Sequence, residues 1–286
     1  MFSLINSLSP FAEKIIVYIS SLHFGTTQEA RKYLHLNDQD VATISPFLDQ
    51  LSKFVTKLSP DKLEFRFMLG GAGGAYQALF SDFETYYDLL RQFLNENKYI
   101  SGIDLDVEEQ LDSSSTLALT KIKKLIRRLN TDTHGFMNRE RGFNITLAPV
   151  ASSLIGTGVG MGGFSYKDLL NSNEAYMIAG LNVQVYGCFN QETINGIIKN
   201  KYPSKLLTLG MLGDEFTGST EFATAMTTIE NMKESLRNIQ GFILWESGDS
   251  AIDAYQWGRA VLRANDAKKT ETSKSWSSML LGLTRP

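Results

Sequence analysis

The chain has 286 residues, 43% of them hydrophobic and 21% charged, with a formal net charge of −3. A chain of this length and composition can bury a core without disulfide staples, and its single cysteine, Cys188, excludes an intrachain disulfide. The charge gives no reason to expect nucleic acid or an anionic membrane as partner, and no apolar run approaches the roughly 18 residues of a membrane span. The opening residues Met1–Phe2–Ser3–Leu4–Ile5–Asn6 lack a basic region leading into a long apolar run. No signal peptide is therefore visible, and the compartment stays open.

In chain order, eight short apolar runs read as buried strands: 14–20, 33–36, 64–69, 102–108, 144–149, 182–186, 206–211 and 241–245. Between most of them lie stretches with apolar residues at helical spacing: 47–58, 83–95, 115–129, 166–171, 192–200, 220–239 and 250–264. In the first of these, Phe47, Leu48, Leu51, Phe54, Val55 and Leu58 define one face. The connection after the first strand is short. Strand and helix alternating eight times predict an α/β fold, a single-domain (β/α)8 TIM barrel over residues 1–263, with a doubly wound open sheet as the alternative. From Ala264 the chain turns polar, and residues 264–286 read as a linker or tail in which Trp276 and residues 279–283 could dock back onto the barrel.

The fourth run is the most informative. Asp104, Asp106 and Glu108 stand at i, i+2 and i+4, so on a strand their side chains share one face, while Ile103, Leu105 and Val107 share the other. In a barrel the aliphatic face meets the helices and the acids meet the lumen. Three carboxyls in such a place cannot all ionise comfortably, so at least one must have a raised pKa, as a general acid requires. Glu108 lies last, at the strand end where barrel enzymes keep their active sites, and is the expected proton donor. Asp106 would orient it or stabilise charge, and Asp104 would support Asp106 from below. The competing readings are an ion-pair network, for which Arg66 is a candidate partner, and a divalent-metal site. All three histidines, His23, His35 and His134, lie off this strand. No metal or other cofactor is therefore expected.

The run Ser101-Gly102-Ile103-Asp104-Leu105-Asp106-Val107-Glu108 resembles the fourth-strand motif of glycoside hydrolase family 18, the chitinase family, which reads Asp-Gly-x-Asp-x-Asp-x-Glu. Ser101 stands where the motif has its first Asp. Phe67-Met68-Leu69-Gly70-Gly71 is similar to the third-strand Ser-x-Gly-Gly element, with Met68 at the serine position. Thr146-Leu147-Ala148-Pro149 is similar to the fifth strand of the plant-type and small fungal branches, and Asn182-Val183-Gln184-Val185-Tyr186 to their sixth-strand Gln-x-Tyr element. Leu244-Trp245-Glu246 is similar to the eighth-strand element that carries the tryptophan.

The resemblance implies a retaining, substrate-assisted endo-hydrolase of β-1,4 bonds between N-acetylglucosamine units. Glu108 would protonate the glycosidic oxygen, and the substrate's 2-acetamido carbonyl would attack the anomeric carbon. Asp106 would orient the acetamido group, Tyr186 would hydrogen-bond its oxygen with Gln184 beside it, and Trp245 would form the floor under the sugar. Gly70, Gly71, Met68 and Tyr76 would line the groove at the third strand. The partner is chitin or an N-acetylglucosamine oligosaccharide, and the protein is expected to be a monomer. The alternatives are an endo-β-N-acetylglucosaminidase acting on N-glycan chitobiose cores and a non-catalytic chitin-binding barrel. About thirty residues separate Met211 from Gly241, which leaves no room for the α+β insertion of some family members and predicts a shallow groove.

Other signals carry less. Residues 158–163 match G-x-G-x-x-G but do not directly follow a strand, so a loop at the barrel mouth is expected. Residues 70–74 lack the Lys-Ser/Thr of a phosphate loop and are expected to let the backbone turn close to the groove. Phe80, Phe189 and Trp257 are candidate sugar platforms along with Tyr76, while Cys188 is expected to pack as a small apolar residue. The sequon at Asn144 begins a buried strand and is not expected to be modified. Lys121, Lys123, Lys124, Arg127 and Arg128 are expected to form a solvated helix face.

Overall fold

The computed structural model describes residues 12–55, 62–132, 143–156, 158–217, 219–246, 253–266 and 278–283. Ten strands form one curled sheet: β1 (Lys14–Thr26), β2 (Lys32–Leu36), β3 (Gln39–Asp40), β4 (Leu63–Gly70), β5 (Gly102–Asp106), β6 (Asn144–Leu147), β7 (Ile178–Gln184), β8 (Leu207–Leu212), β9 (Gly241–Trp245) and β10 (Ser278–Leu283). Eight α-helices among the described residues flank it: α1 (Ser45–Val55), α2 (Ala75–Ser81), α3 (Phe83–Glu96), α4 (Ser115–Thr131), α5 (Tyr166–Leu170), α6 (Gln191–Lys199), α7 (Ser219–Leu236) and α8 (Ala254–Asp266). The architecture is α/β and consistent with a TIM-barrel-like fold.

The parallel neighbours run β1, β4, β5, β6, β7, β8, β9 and β10, and β10 also pairs in parallel with β1. Two expectations change here. The run 33–36 is a strand, but it belongs to a hairpin and not to the parallel series. β2 pairs antiparallel with the upper half of β1, and β3 extends the hairpin. The cause is alternation: Leu22, Phe24, Leu34 and Leu36 are buried while their neighbours are only partly covered, the pattern of a one-faced antiparallel pair. Gly25 makes room in this hairpin for the far end of the Tyr33 side chain.

The second change concerns residues 264–286, expected as a tail. Helix α8 extends to Asp266, and Ser278–Leu283 forms β10, with Lys14 opposite Ser278 on one side and Gly241 on the other. Trp276 and His134 lie outside the described residues. The expected helices appear with ends shifted by a few residues, and α2 was not foreseen.

The outer face of the sheet packs against the helices in one large apolar core that includes Val17, Phe65, Phe67, Ile103, Leu105, Leu147, Leu181, Val183 and Leu209. The inner face is different. A small separate cluster of Ile16, Tyr18 and Ile243 is buried there, and the buried polar residues Glu64, Arg66, Asp104, Asp106, Thr146, Asn182 and Thr208 alternate with the outer-face aliphatics along their strands. Period-two alternation with both faces buried assigns the apolar set to the helix layer and the polar set to the interior. Ser101 is fully buried, and its hydroxyl donates to the Phe65 carbonyl at 3.1 Å. The position therefore carries no charge, and its one hydroxyl is satisfied by backbone.

Candidate active site

The acids of β5 sit at successive depths. Asp104 is buried, and its Oδ1 accepts from Thr146 Oγ1 at 2.5 Å and Asn182 Nδ2 at 2.8 Å. Asp106, also buried, accepts from Gln184 Nε2 at 3.0 Å. Glu108 lies two residues beyond the strand end and is half-buried; its Oε1 accepts from the same Nε2 at 3.2 Å. Gln184 Nε2 is held in turn by the Ala148 carbonyl at 3.1 Å. One amide of β7 thus bridges the two upper acids and the backbone after β6.

Burial pushes the Asp104 carboxyl up to about 6, against the hydrogen bonds from Thr146 and Asn182 and the charge of Arg66. Burial, followed by the charges of Glu108 and Asp104, holds Asp106 well above the usual carboxylate range, and the Gln184 hydrogen bond only partly offsets this. The expected crowding of carboxyls is present in the raised pKa of Asp104 and of Asp106.

The neighbouring loops are stitched to the acids. Gly70 pairs with Asp106 in register, a Cβ on Gly70 would meet the Asp106 carbonyl at 2.2 Å, and Gly71 N–H donates to that carbonyl at 2.9 Å. Both glycines have positive φ, +98° and +82°, so this approach depends on them. Met68 lies opposite Asp104 and is buried. Glu109 accepts from the backbone N–H groups of Tyr76, at 2.5 Å, and of Gln77, at 3.0 Å, at the start of α2. Successive residues therefore reach in opposite directions, Glu108 toward β7 and Glu109 toward the loop after β4.

Tyr186 is half-buried two residues beyond β7. Its phenol pKa is held well up by burial and then by the charges of Asp106, Asp104 and Glu108, which places it in the field of all three acids. On the far side, Gly187 N–H donates to Glu215, which ties the loop after β7 to the loop after β8. Trp245 ends β9 and is half-buried.

Several expected platforms are corrected by burial. Tyr76 has no exposed ring face, and its hydroxyl donates to the Leu69 carbonyl at 2.8 Å. It packs in the apolar core between the sheet and the helices and cannot stack on a sugar. Trp257 is likewise fully buried and donates to Met211 Sδ at 3.4 Å. Phe80 and Phe189 pack against the core. The basic residues of α4 are not simply solvated: Lys123 and Arg127 pair with Glu174, Lys124 and Arg128 with Glu84, and Lys121 with Asp112.

Residues 158–165 form a turn bridged from Val159 to Ser165, and Leu111 N–H donates to Gly162 across to the loop after β5. That is a wall of the acid-bearing loop and has no strand-to-helix junction of the dinucleotide kind. Among the described residues, no group of three or more His, Cys, Asp or Glu side chains is arranged to hold a metal ion.

The fold that carries this site is shared with solved structures that include a GH18 chitinase. No protein-family model matches the chain, and no curated protein matches it. The likeness lies in solved structures. A GH18 chitinase from Pseudoalteromonas aurantia superposes with a TM-score of 0.59 at 16% identity, over 92% of this chain and 96% of that one. The Legionella pneumophila ChiA C-terminal domain gives 0.61 at 12% identity, over 92% and 93%. YKL-39, solved in the presence of chitooligosaccharides, gives 0.60 at 12% identity, over 91% and 93%.

Asn182 and Thr146, which fix Asp104, and Glu109, which fixes the glycine loop, were not singled out in the sequence. Asn182 and Thr146 do carry a legible signal, since each is a polar residue at an inward position of an otherwise aliphatic strand. Glu109 carries none, because an acid in a loop is ordinarily solvated.

Proposed function

We propose that this protein is a retaining glycosidase that cleaves β-1,4 bonds next to N-acetylglucosamine, with chitin or a chito-oligosaccharide as substrate and the substrate's own acetamido group as nucleophile. The observation that carries the reading is the single amide of Gln184 spanning Asp106 and Glu108, with Tyr186 in the field of the same acids. Glu108 is the most accessible of the three acids and the one that can reach a glycosidic oxygen, so it is the proton donor.

Asp106 lies below it, its carboxyl held well above the usual carboxylate range by burial and by its acidic neighbours, and hydrogen-bonds the acetamido group. When the acetamido carbonyl attacks the anomeric carbon, positive charge develops on the oxazolinium ring. Asp106 and the ionised Asp104 beneath it stabilise that charge. Tyr186 holds the acetamido oxygen, and Trp245 offers an apolar face to the sugar ring. Gly70 and Gly71 let the loop after β4 pass close to Asp106.

We read the parallel strands as a closed (β/α)8 barrel, supported by the pairing of β10 with both β9 and β1. The protein acts as a monomer, internally along the chain. The deciding experiment compares the purified protein with Glu108→Gln on chito-oligosaccharides and on a high-mannose glycopeptide. The expected result is turnover of the chito-oligosaccharide and a loss of about a hundredfold or more in the variant, the scale of a lost general acid. Equal turnover by both proteins would overturn the role of Glu108. Turnover of the glycopeptide alone would move the substrate to N-glycan cores, and binding without turnover would make the protein a lectin.

A further inference from the structure

A buried polar path lies beneath the acids, on the inner face of the sheet. Arg66 on β4 is buried. Its Nε and Nη2 donate to Glu64 Oε2 at 3.1 and 2.6 Å, and its Nη1 donates to the Tyr18 hydroxyl on β1 at 3.1 Å. The Tyr18 hydroxyl lies 3.5 Å from Thr146 Oγ1 on β6, and that hydroxyl donates to Asp104. At the other end, the partly exposed Lys14 pairs with Glu64. The path therefore runs from the start of β1 to the lowest acid of the candidate active site.

Charge counting makes the path consequential. Lys14 and Arg66 bring two positive charges, and Glu64 neutralises one. One positive charge remains for the carboxyls above. A buried region tolerates charge only when it is balanced, so this arrangement matches one ionised carboxyl and one neutral one. Asp104 sits at the end of the path, while Asp106 lies between Asp104 and Glu108, two further acids.

We propose that Arg66 is a positioning residue for the reaction: acting through Tyr18 and Thr146, it makes Asp104 the ionised member of the buried carboxyl pair and leaves the pair's proton on Asp106. This deepens the glycosidase reading and rests on it for its catalytic meaning. The other groups facing Asp104 do not compete for the role. Asn182 is uncharged and donates to it. The phenols of Tyr76, Tyr166 and Tyr186 are all held above their ordinary pKa by burial and stay neutral.

The test is a carboxyl 13C NMR titration of aspartate-labelled protein, run on the wild type, Arg66→Gln and Glu64→Gln, with circular dichroism to confirm the fold. Arg66→Gln removes the stabilising charge, so Asp104 should titrate roughly one pH unit higher, the scale of one charge in the interior. Glu64→Gln removes the anion that masks Arg66, so Asp104 should titrate lower. A merely structural role for Arg66 does not give shifts of opposite sign. If Arg66→Gln does not fold, the Glu64→Gln shift decides alone. An unchanged Asp104 titration in the folded variants overturns the proposal. The acid limb of kcat/KM should follow the same two directions. Opposite NMR shifts in a protein that turns over no sugar would sink the glycosidase reading and leave the role of Arg66 standing.

Discussion

Gln184 donates from one nitrogen to both Asp106, at 3.0 Å, and Glu108, at 3.2 Å. The two acids belong to one strand, so a residue on β7 sets the distance between the acid at the strand end and the acid inside. Replacing Gln184 with Leu removes this brace and leaves two carboxyls without their shared donor. A hydrogen bond to a charged group is worth about 1.5–3 kcal/mol, which sets the expected loss in kcat at roughly tenfold to a hundredfold. Steady-state kinetics on a chito-oligosaccharide would show it, and an unchanged kcat would mean that the brace has no catalytic part.

Asp104 links the site to stability. Its folded pKa, about 6, lies above the ordinary carboxyl value of 3.8, so the folded state holds the proton more tightly than the unfolded state. Between about pH 4 and 6 the native protein therefore binds more protons, and stability contributed by this group falls as pH rises through that window. Asp104→Asn keeps an oxygen for Thr146 and Asn182 and removes the titration. The variant should be more stable than the wild type at pH 7, by on the order of 2–3 kcal/mol, with the difference shrinking toward pH 4. Thermal melting of both proteins across that range measures this directly. A constant difference would show that Asp104 does not titrate there.

Glu109 predicts a split between two substitutions. Glu109→Ala frees the first turn of α2 from the acid-bearing loop, and losing a cap of this kind costs about 1 kcal/mol. Glu109→Gln keeps one acceptor and should lie between the wild type and Ala in both melting temperature and kcat. Indistinguishable kcat values for all three would separate the loop from the chemistry.

Gly70→Ala places a Cβ 2.2 Å from the Asp106 carbonyl at a residue with φ of +98°. Backbone strain of about 1–3 kcal/mol adds to overpacking of similar size, so the variant should melt far below the wild type or fail to fold. Gly71→Ala meets only ordinary contacts, at 3.4 and 3.5 Å, and carries the strain alone. It should fold with a smaller loss, and equal losses in the two would put the cause elsewhere.

The acidic strand was legible because inward and outward residues alternate without exception from Gly102 to Val107, and that alternation survives any error in counting strands. The number of parallel strands is less legible. The run 33–36 has the length and composition of a buried strand, but its alternation with Lys32, Tyr33 and His35 is that of a hairpin with one wet face. The acids thus lie on the third parallel strand in chain order, and β10 supplies the place ahead of β1. Its sequence, Ser278–Leu283, is a short apolar run behind a long polar stretch, and local composition does not say what it will pair with. The burial of Tyr76 and Trp257 is hidden in the sequence for a related reason. An aromatic residue reads the same whether its ring faces a groove or the core, and only packing decides.

The pairing of β10 with β1 also orders events in time. Lys14–Ile19 leaves the ribosome about 260 residues ahead of the strand that covers one of its edges. At synthesis rates of about 5–20 residues per second, that edge waits on the order of tens of seconds for its partner. During that interval a nascent chain offers an apolar strand to any neighbour able to add to it. Crowded polysomes and strong promoters should therefore harm the yield of this protein more than its final stability would suggest.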